Sequence, residues 1–254
     1  MSAVLFEVDA DGVAVITLNR PEAKNSLNND VMNGLRDAFG QVVNDPKIRV
    51  VVMTGAGGTF CSGMDLKAFA RGDKIDGTGL PFSGENALYV EKPLIAAVEG
   101  YCLAGGFEVA LSCDLIVSSE TAKFGLPEVK RGLAAAGGGL VRMPRQAPWR
   151  VALEMVLTGD HYDAATMEKH GVINRITPEG GALAGAKALA ATIAANGPLA
   201  VAASKRIMTE SLDWKASEAR TLQQPYITPV FASNDAKEGA TAFAEKRKPN
   251  WTNS

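Results

Sequence analysis

Long apolar runs, metal-ligand clusters, a charge imbalance, internal repeats and a low-complexity tail are all missing from this chain. The longest apolar stretches, such as Leu94 to Val98 and Val109 to Val117, fall short of the roughly 20 residues that span a bilayer. A soluble protein, with no membrane partner, is the expectation. With 26 Lys+Arg against 28 Asp+Glu, the chain has no basic footprint for nucleic acid or for an anionic membrane. Any anionic ligand has to be met by local basic residues. The three cysteines, Cys61, Cys102 and Cys113, lack metal-ligand spacing, so no metal site is predicted. Their odd number, with no secretory signal at the N-terminus, predicts reduced thiols and a cytoplasmic protein. Of the two histidines, neither His161 nor His170 has a spacing that pairs it with Cys61 or Cys102, which leaves thiol nucleophile chemistry without support.

What is present is length and alternation. The 254 residues can bury a large core, and strand-like segments alternate with helix-like ones, the signature of an α/β fold with a largely parallel sheet. Leu5–Val8 and Val13–Leu18 read as a hairpin around Asp11-Gly12. A helix capped by Asn28 or Asn29 follows, with Val31, Leu35, Ala38, Phe39 and Val42 along one face. Arg49–Thr54, Leu94–Val98 and Asp114–Ser118 read as buried strands, and Gly106–Leu111 as a helix. Arg71 to Gly84 is polar and Gly-rich, and is expected to be a mobile loop of functional length. Beyond Pro144 the composition turns Ala-rich and helical, which predicts a core over 1–195 and a helical C-terminal region over 196–254.

Two turns and two carboxylates carry the chemistry. In Ser62-Gly63-Met64-Asp65 and Leu103-Ala104-Gly105-Gly106, small residues let the backbone turn sharply into a helix, leaving amide N–H groups unpaired at its start. Such donors favour negative charge. If the turns face each other, the amides of Met64 and Gly105 converge on one oxygen as an oxyanion hole. Glu108 lies three residues past Gly105, within about one helical turn of that hole. Glu128 follows Phe124-Gly125-Leu126-Pro127, and both glutamates have apolar neighbours that disfavour the charged form. Taken singly, each turn is an ordinary strand-to-helix connection and each glutamate a surface or ion-paired residue. Their joint presence points to an acid/base pair beside an enolate.

The chain resembles the crotonase, or enoyl-CoA hydratase/isomerase, superfamily over essentially its whole length. The resemblance is carried by Asn19-Arg20-Pro21, Phe60-Cys61-Ser62-Gly63-Met64-Asp65-Leu66, Lys92-Pro93-Leu94-Ile95-Ala96-Ala97-Val98, Gly105-Gly106-Phe107-Glu108, Cys113-Asp114, Phe124-Gly125-Leu126-Pro127-Glu128, Leu157-Thr158-Gly159, Gly171-Val172-Ile173 and the ending Glu238 to Arg247. It implies a spiral of ββα repeats with a helical C-terminal region that forms a homotrimer or a dimer of trimers. It also implies a thioester oxygen held by the amides of Met64 and Gly105. Members with both glutamates hydrate enoyl-CoA, so the resemblance implies water added to C3 of a trans-2-enoyl-CoA, with Glu108 as base and Glu128 as proton donor to C2. No cofactor is implied, coenzyme A being part of the substrate. Ala23, Lys24, Ser62, Asp65, Leu66 and Lys67 would line the CoA path, while Phe243 and Lys246 would reach it from a neighbouring subunit; read without the resemblance, Lys67, Lys246 and Arg247 are solvated surface charges. One segment departs from the family pattern. Where many hydratases show a Pro-Gly-Ala-Gly-Gly-like turn, this chain reads Ala135-Ala136-Gly137-Gly138-Gly139, with an extra methyl at Ala136 expected near the water or acyl position. The same motifs fit a carnitinyl-CoA dehydratase, an enoyl-CoA isomerase or a non-catalytic acyl-CoA-binding protein.

Overall fold

The computed structural model describes residues 2–83 and 87–254. The hairpin expected around Gly12 is present: β1 (Val4–Val8) and β2 (Val13–Leu18) pair antiparallel, with Gly12 at a positive φ of 79° in the turn. From β2 onward the large sheet is parallel, running through β3 (Val50–Gly55), β4 (Leu94–Val98), β6 (Leu115–Ser119) and β9 (Arg175–Thr177) in the order β1-β2-β3-β4-β6-β9. A second sheet takes β5 (Tyr101–Leu103), β7 (Lys123–Gly125) and β8 (Tyr162–Asp163), in the order β5-β7-β8. Consecutive strands β4 and β5, and then β6 and β7, each place one strand in either sheet, the ββ step of the expected spiral.

Parallel strands buried on both faces read as continuous apolar runs, and β3 and β4 are of this kind. Val51 and Met53 face one core with Ala14, Ile16 and Leu18; Val50 and Val52 face a second core with Val13, Val15, Ile95 and Ala97. The first is closed by α1 (Asn29–Asn44), whose Val31, Met32, Leu35, Ala38, Phe39 and Val42 are buried at helical spacing. Its cap is Asn28, whose side chain accepts from the Val31 amide at 3.1 Å, a contact worth about 1 kcal/mol. The second core is closed by α7 (Ala182–Ala194), which lays Ala182, Ala186, Leu189 and Ala190 on the sheet.

Shorter helices place the site: α2 (Leu66–Ala70), α3 (Gly105–Ser112) and α4 (Gly139–Gln146), followed by α5 (Trp149–Thr158) and α6 (Ala164–Lys169). After α7 the chain bends by 109° into α8 (Pro198–Glu210), and continues through α9 (Ala219–Leu222), α10 (Gln224–Ala232) and α11 (Asn234–Ala244). No side chain of α8, α9 or α10 is buried. Among the described residues no single helix is long and apolar enough to cross a membrane.

The loop expected to be mobile is instead tied down over its described part. Arg36 donates to Thr78 O at 2.9 Å and pairs with Asp76 at 3.2 Å, Asn29 holds the backbone of Lys74 and Asp76, and Leu80 and Phe82 are buried in the first core. Its apolar residues were few among the glycines, yet they are the anchors. Gly84 lies outside the described residues.

Candidate active site

The two turns are zipped side by side. The Cys61 amide donates to Tyr101 O at 2.9 Å and the Leu103 amide to Cys61 O at 3.0 Å, so Cys61–Gly63 runs parallel to β5 and into Leu103–Gly105. Leu27 bridges Met64 from the other side: its amide donates to Gly63 O and its carbonyl accepts from the Asp65 amide. In a parallel bridge of this kind the Met64 N–H points away from Leu27, toward Gly105. A methyl built on Gly105 would stand 3.7 Å from the Met64 nitrogen, and among the described residues neither amide donates to a backbone carbonyl outside regular elements. Two free N–H groups therefore meet at the N-terminus of α3, where the helix dipole adds to their pull on an anion.

Close approach is what demands glycine here. Gly63 has φ 98°, and a methyl on it would lie 2.6 Å from Ala104 Cβ. Ala104 itself is held at φ 50°, ψ −131° ahead of α3, a conformation that costs an alanine on the order of 1–3 kcal/mol and is kept only because the surroundings impose it. Its amide donates to Gly125 O at 2.9 Å, which joins the second turn to β7 and thus to the chain leading to Glu128.

Glu108 projects from the first turn of α3 and is only 4 % exposed. Its Oε1 accepts from the Gly139 amide at 2.8 Å, and the Gly137 amide lies close enough to favour the ionised carboxylate. Burial raises its pKa; those two amides and the positive charge of Arg142 oppose the rise. Methyl groups on Gly137 or Gly139 would lie 2.7 Å from Oε2 and 3.0 Å from Oε1, so both glycines are fitted to the carboxylate. Ala136, expected to crowd this space, is exposed; Gly137 is the residue that faces Glu108.

Glu128 sits in a short 3-10 turn, Pro127–Arg131, after β7. It is half-buried, and its Oε2 is buried without a hydrogen-bond partner. Burial, together with the nearby charge of Glu108, pushes its pKa up to about 7. A buried carboxylate oxygen with no partner is rare in a folded interior, and a catalytic role is one of the few explanations for it.

The other candidates fall into two groups. Ala23 and the exposed Lys24 adjoin the first turn, since the Ser62 amide donates to Lys24 O at 3.0 Å, and the Lys24 ammonium lies 4.9 Å from the ring centre of Tyr101. Asp65 caps α2 through the amides of Lys67 and Ala68 and pairs with Arg20 at 3.2 Å, so its carboxylate is engaged within the protein. The capping amides and Arg20 hold its pKa below the usual carboxylate value. Leu66 and Lys67 are exposed on α2. Phe243, 87 % exposed, and Lys246 stand apart at α11, which packs on α10. The thiols are inert: burial pushes Cys61 and Cys113 up to about 12, and Cys102 well above its ordinary value. Sequence reasoning missed the Gly137–Gly139 turn as the holder of Glu108, and missed Arg142; three successive glycines before a helix were the signal available.

Known proteins resemble this chain in sequence and fold. Residues 9–254 match the family model described as Enoyl-CoA hydratase/isomerase. A protein named enoyl-CoA hydratase EchA19 from Mycobacterium tuberculosis is 45 % identical over 246 residues, covering 94 % of this chain and 92 % of that one. A carnitinyl-CoA dehydratase from Proteus mirabilis is 38 % identical over 99 % of both chains. A crystal structure of an enoyl-CoA hydratase from Mycobacterium tuberculosis superposes with a TM-score of 0.95 at 51 % identity, covering all of both chains. The chain belongs to the enoyl-CoA hydratase/isomerase family.

Proposed function

We propose that this protein is an enoyl-CoA hydratase, a hydro-lyase that adds water across the double bond of a trans-2-enoyl-CoA. The observation that carries the reading is the division of labour between a buried and a half-buried carboxylate beside two neighbouring amides. Glu108, whose burial is opposed by the Gly139 N–H donor, the nearby Gly137 amide and a nearby cation, is the one proposed to accept a proton from water. Glu128, pushed up to about 7 and without compensation at Oε2, is fitted to carry a proton at neutral pH.

The steps balance. Glu108 takes one proton of the water as its oxygen bonds to C3, and the C2=C3 electron pair moves into the thioester as an enolate whose oxygen lies between the Met64 and Gly105 amides. Glu128 then delivers its proton to C2, and the enolate collapses to the thioester carbonyl. The enzyme is left with Glu108 protonated and Glu128 ionised, and exchange with solvent restores the starting state. Removing one donor from such a hole costs about 3 kcal/mol, or roughly a hundredfold or more in rate. Every proton and bond is accounted for by protein groups and substrate, so no separate cofactor enters the proposal.

The CoA moiety is proposed to lie along Ala23, Lys24, Ser62 and Asp65–Lys67, the residues gathered around the first turn. Phe243 and Lys246 are assigned to a neighbouring subunit's site. That assignment rests on α8–α11, where Met208, Phe231 and Phe243 are 74 %, 79 % and 87 % exposed. Apolar side chains this exposed favour an association surface. We take 1–195 as core and 196–254 as the associating region of a homotrimer or dimer of trimers, with the cytoplasm as its location. Similarity to a protein named carnitinyl-CoA dehydratase favours one second reading, the reverse reaction on a carnitinyl thioester with the same glutamates.

The test is to mix the protein with crotonyl-CoA and longer trans-2-enoyl-CoAs and to follow loss of the conjugated thioester absorbance. Loss abolished by Glu108→Gln and by Glu128→Gln supports hydration. Turnover of carnitinyl-CoA alone favours the second reading, and binding of acyl-CoA with no product from any thioester would leave a non-catalytic binder.

A further inference from the structure

We propose that Arg142 is a positioning residue for this reaction: its guanidinium fastens the Gly137–Gly139 turn under Glu108 and ties that turn to the loop at Pro81. The proposal rests on the hydratase reading and adds to it the device that fixes the base.

Arg142 lies on the first turn of α4 and is half-buried. Its Nη1 donates to Gly137 O at 2.7 Å, and its Nη2 reaches Pro81 O at 3.4 Å. The residue thus gripped, Gly137, packs against the Glu108 carboxylate two residues before Gly139, which begins α4 and whose amide donates to Oε1. Arg142 makes no ion pair with Glu108 and acts on it through the turn and through space. Gly138, at φ 94°, lies against the guanidinium, and a methyl there would overlap Nη1. The backbone is shaped around this side chain.

The second prong has a different consequence. Pro81 lies between Leu80 and Phe82, the two residues that anchor the described end of the long loop in the core. One planar fork therefore joins two backbone carbonyls, Gly137 and Pro81, that are 56 residues apart in sequence, which a lysine's single ammonium is poorly shaped to do. The charged and titratable groups facing this cluster are Glu108 of α3, Glu128 of the 3-10 turn and the Cys113 thiol that follows α3. Arg142 is the cation among those named, and a guanidinium stays charged throughout the working pH range.

The experiment compares Arg142→Gln, Arg142→Lys and Arg142→Ala with the parent protein in two readouts. In the hydration assay, Arg142→Gln is expected to lose about a hundredfold in kcat, the scale of a misplaced catalytic group, and to move the acidic limb of kcat/KM toward higher pH. Arg142→Lys should restore the limb and only part of kcat, and added guanidinium ion should raise the rate of Arg142→Ala. The second readout is an infrared titration of the Glu108 carboxyl, assigned by its absence in Glu108→Gln, which needs no turnover. An upward move of that titration in Arg142→Gln supports the proposal even if the parent protein hydrates nothing, in which case the hydratase reading alone fails. Unmoved titration and unmoved limb in a folded Arg142→Gln would overturn it, as would a rate loss matched only by lowered thermal stability.

Discussion

Glu108 and Glu128 occupy neighbouring regions of opposite character. Glu108 is the more deeply buried, at 4 % exposure, yet Glu128 is the one pushed up to about 7. Burial alone would order them the other way. What reverses the order is compensation: Glu108 has the Gly139 N–H as a hydrogen-bond donor with the Gly137 amide and the Arg142 charge nearby, whereas the 3-10 turn leaves Glu128 Oε2 with no partner among the described residues. The comparison teaches that a carboxylate's role is set by the donors supplied to its charged form more than by its depth.

The largest expected effect comes from deleting either role. Glu108→Gln and Glu128→Gln should each lower kcat by about 10²- to 10⁴-fold, the range for general acid–base groups, measured as loss of enoyl thioester absorbance under saturating substrate. Equal kcat in either variant and the parent would remove that residue from the chemistry. Next in size is Gly137→Ala, whose methyl would stand 2.7 Å from Glu108 Oε2. Displacing the base by that overlap should cost about 10²-fold in kcat, while Ala136→Gly, at an exposed position, should change it little.

The pH dependence sharpens the comparison further. Hydration needs Glu108 ionised and Glu128 protonated, so kcat/KM should be bell-shaped, falling above about 7 as Glu128 loses its proton and falling on the acid side as Glu108 gains one. In Glu128→Gln the alkaline limb should disappear from whatever rate remains. The smallest effect is on stability. The Glu128 pKa is raised on folding from 4.5 to about 7, so the folded state binds the proton more tightly and stability from this group is lost as pH rises through that window. Glu128→Gln should therefore melt higher than the parent at pH 8, by about 2–4 °C for each kcal/mol of relieved charge burial, with the gain vanishing below pH 4.5. Partial exposure of Glu128 keeps this effect small.

Much of the frame was legible in the sequence because its signals are periodic and local. The hairpin β1–β2, the doubly buried runs of β3 and β4, and the stripe of α1 with a cap at Asn28 or Asn29 follow from spacing, and the structure selects Asn28. The three-residue strands β5 and β7 did not follow from spacing, since so short a segment shows no alternation. Helix α4 was hidden by the glycines at its start and Pro144 within it. In the site, Met64, Gly105, Glu108 and Glu128 were visible as turn residues and acids. Their neighbours were not, because Gly139 meets Glu108 across 31 residues and Arg142 reaches Pro81 across 61. Such contacts leave no local pattern.

The most direct measurement is an infrared titration of the two carboxyls from pH 4 to pH 9, with Glu108→Gln and Glu128→Gln assigning the bands. A protonated carboxyl that persists to about pH 7 and is lost in Glu128→Gln, with Glu108 ionising at lower pH, is the predicted result. If the persistent band belonged to Glu108, or if Glu128 were already ionised at pH 5, the assignment of acid and base would be contradicted.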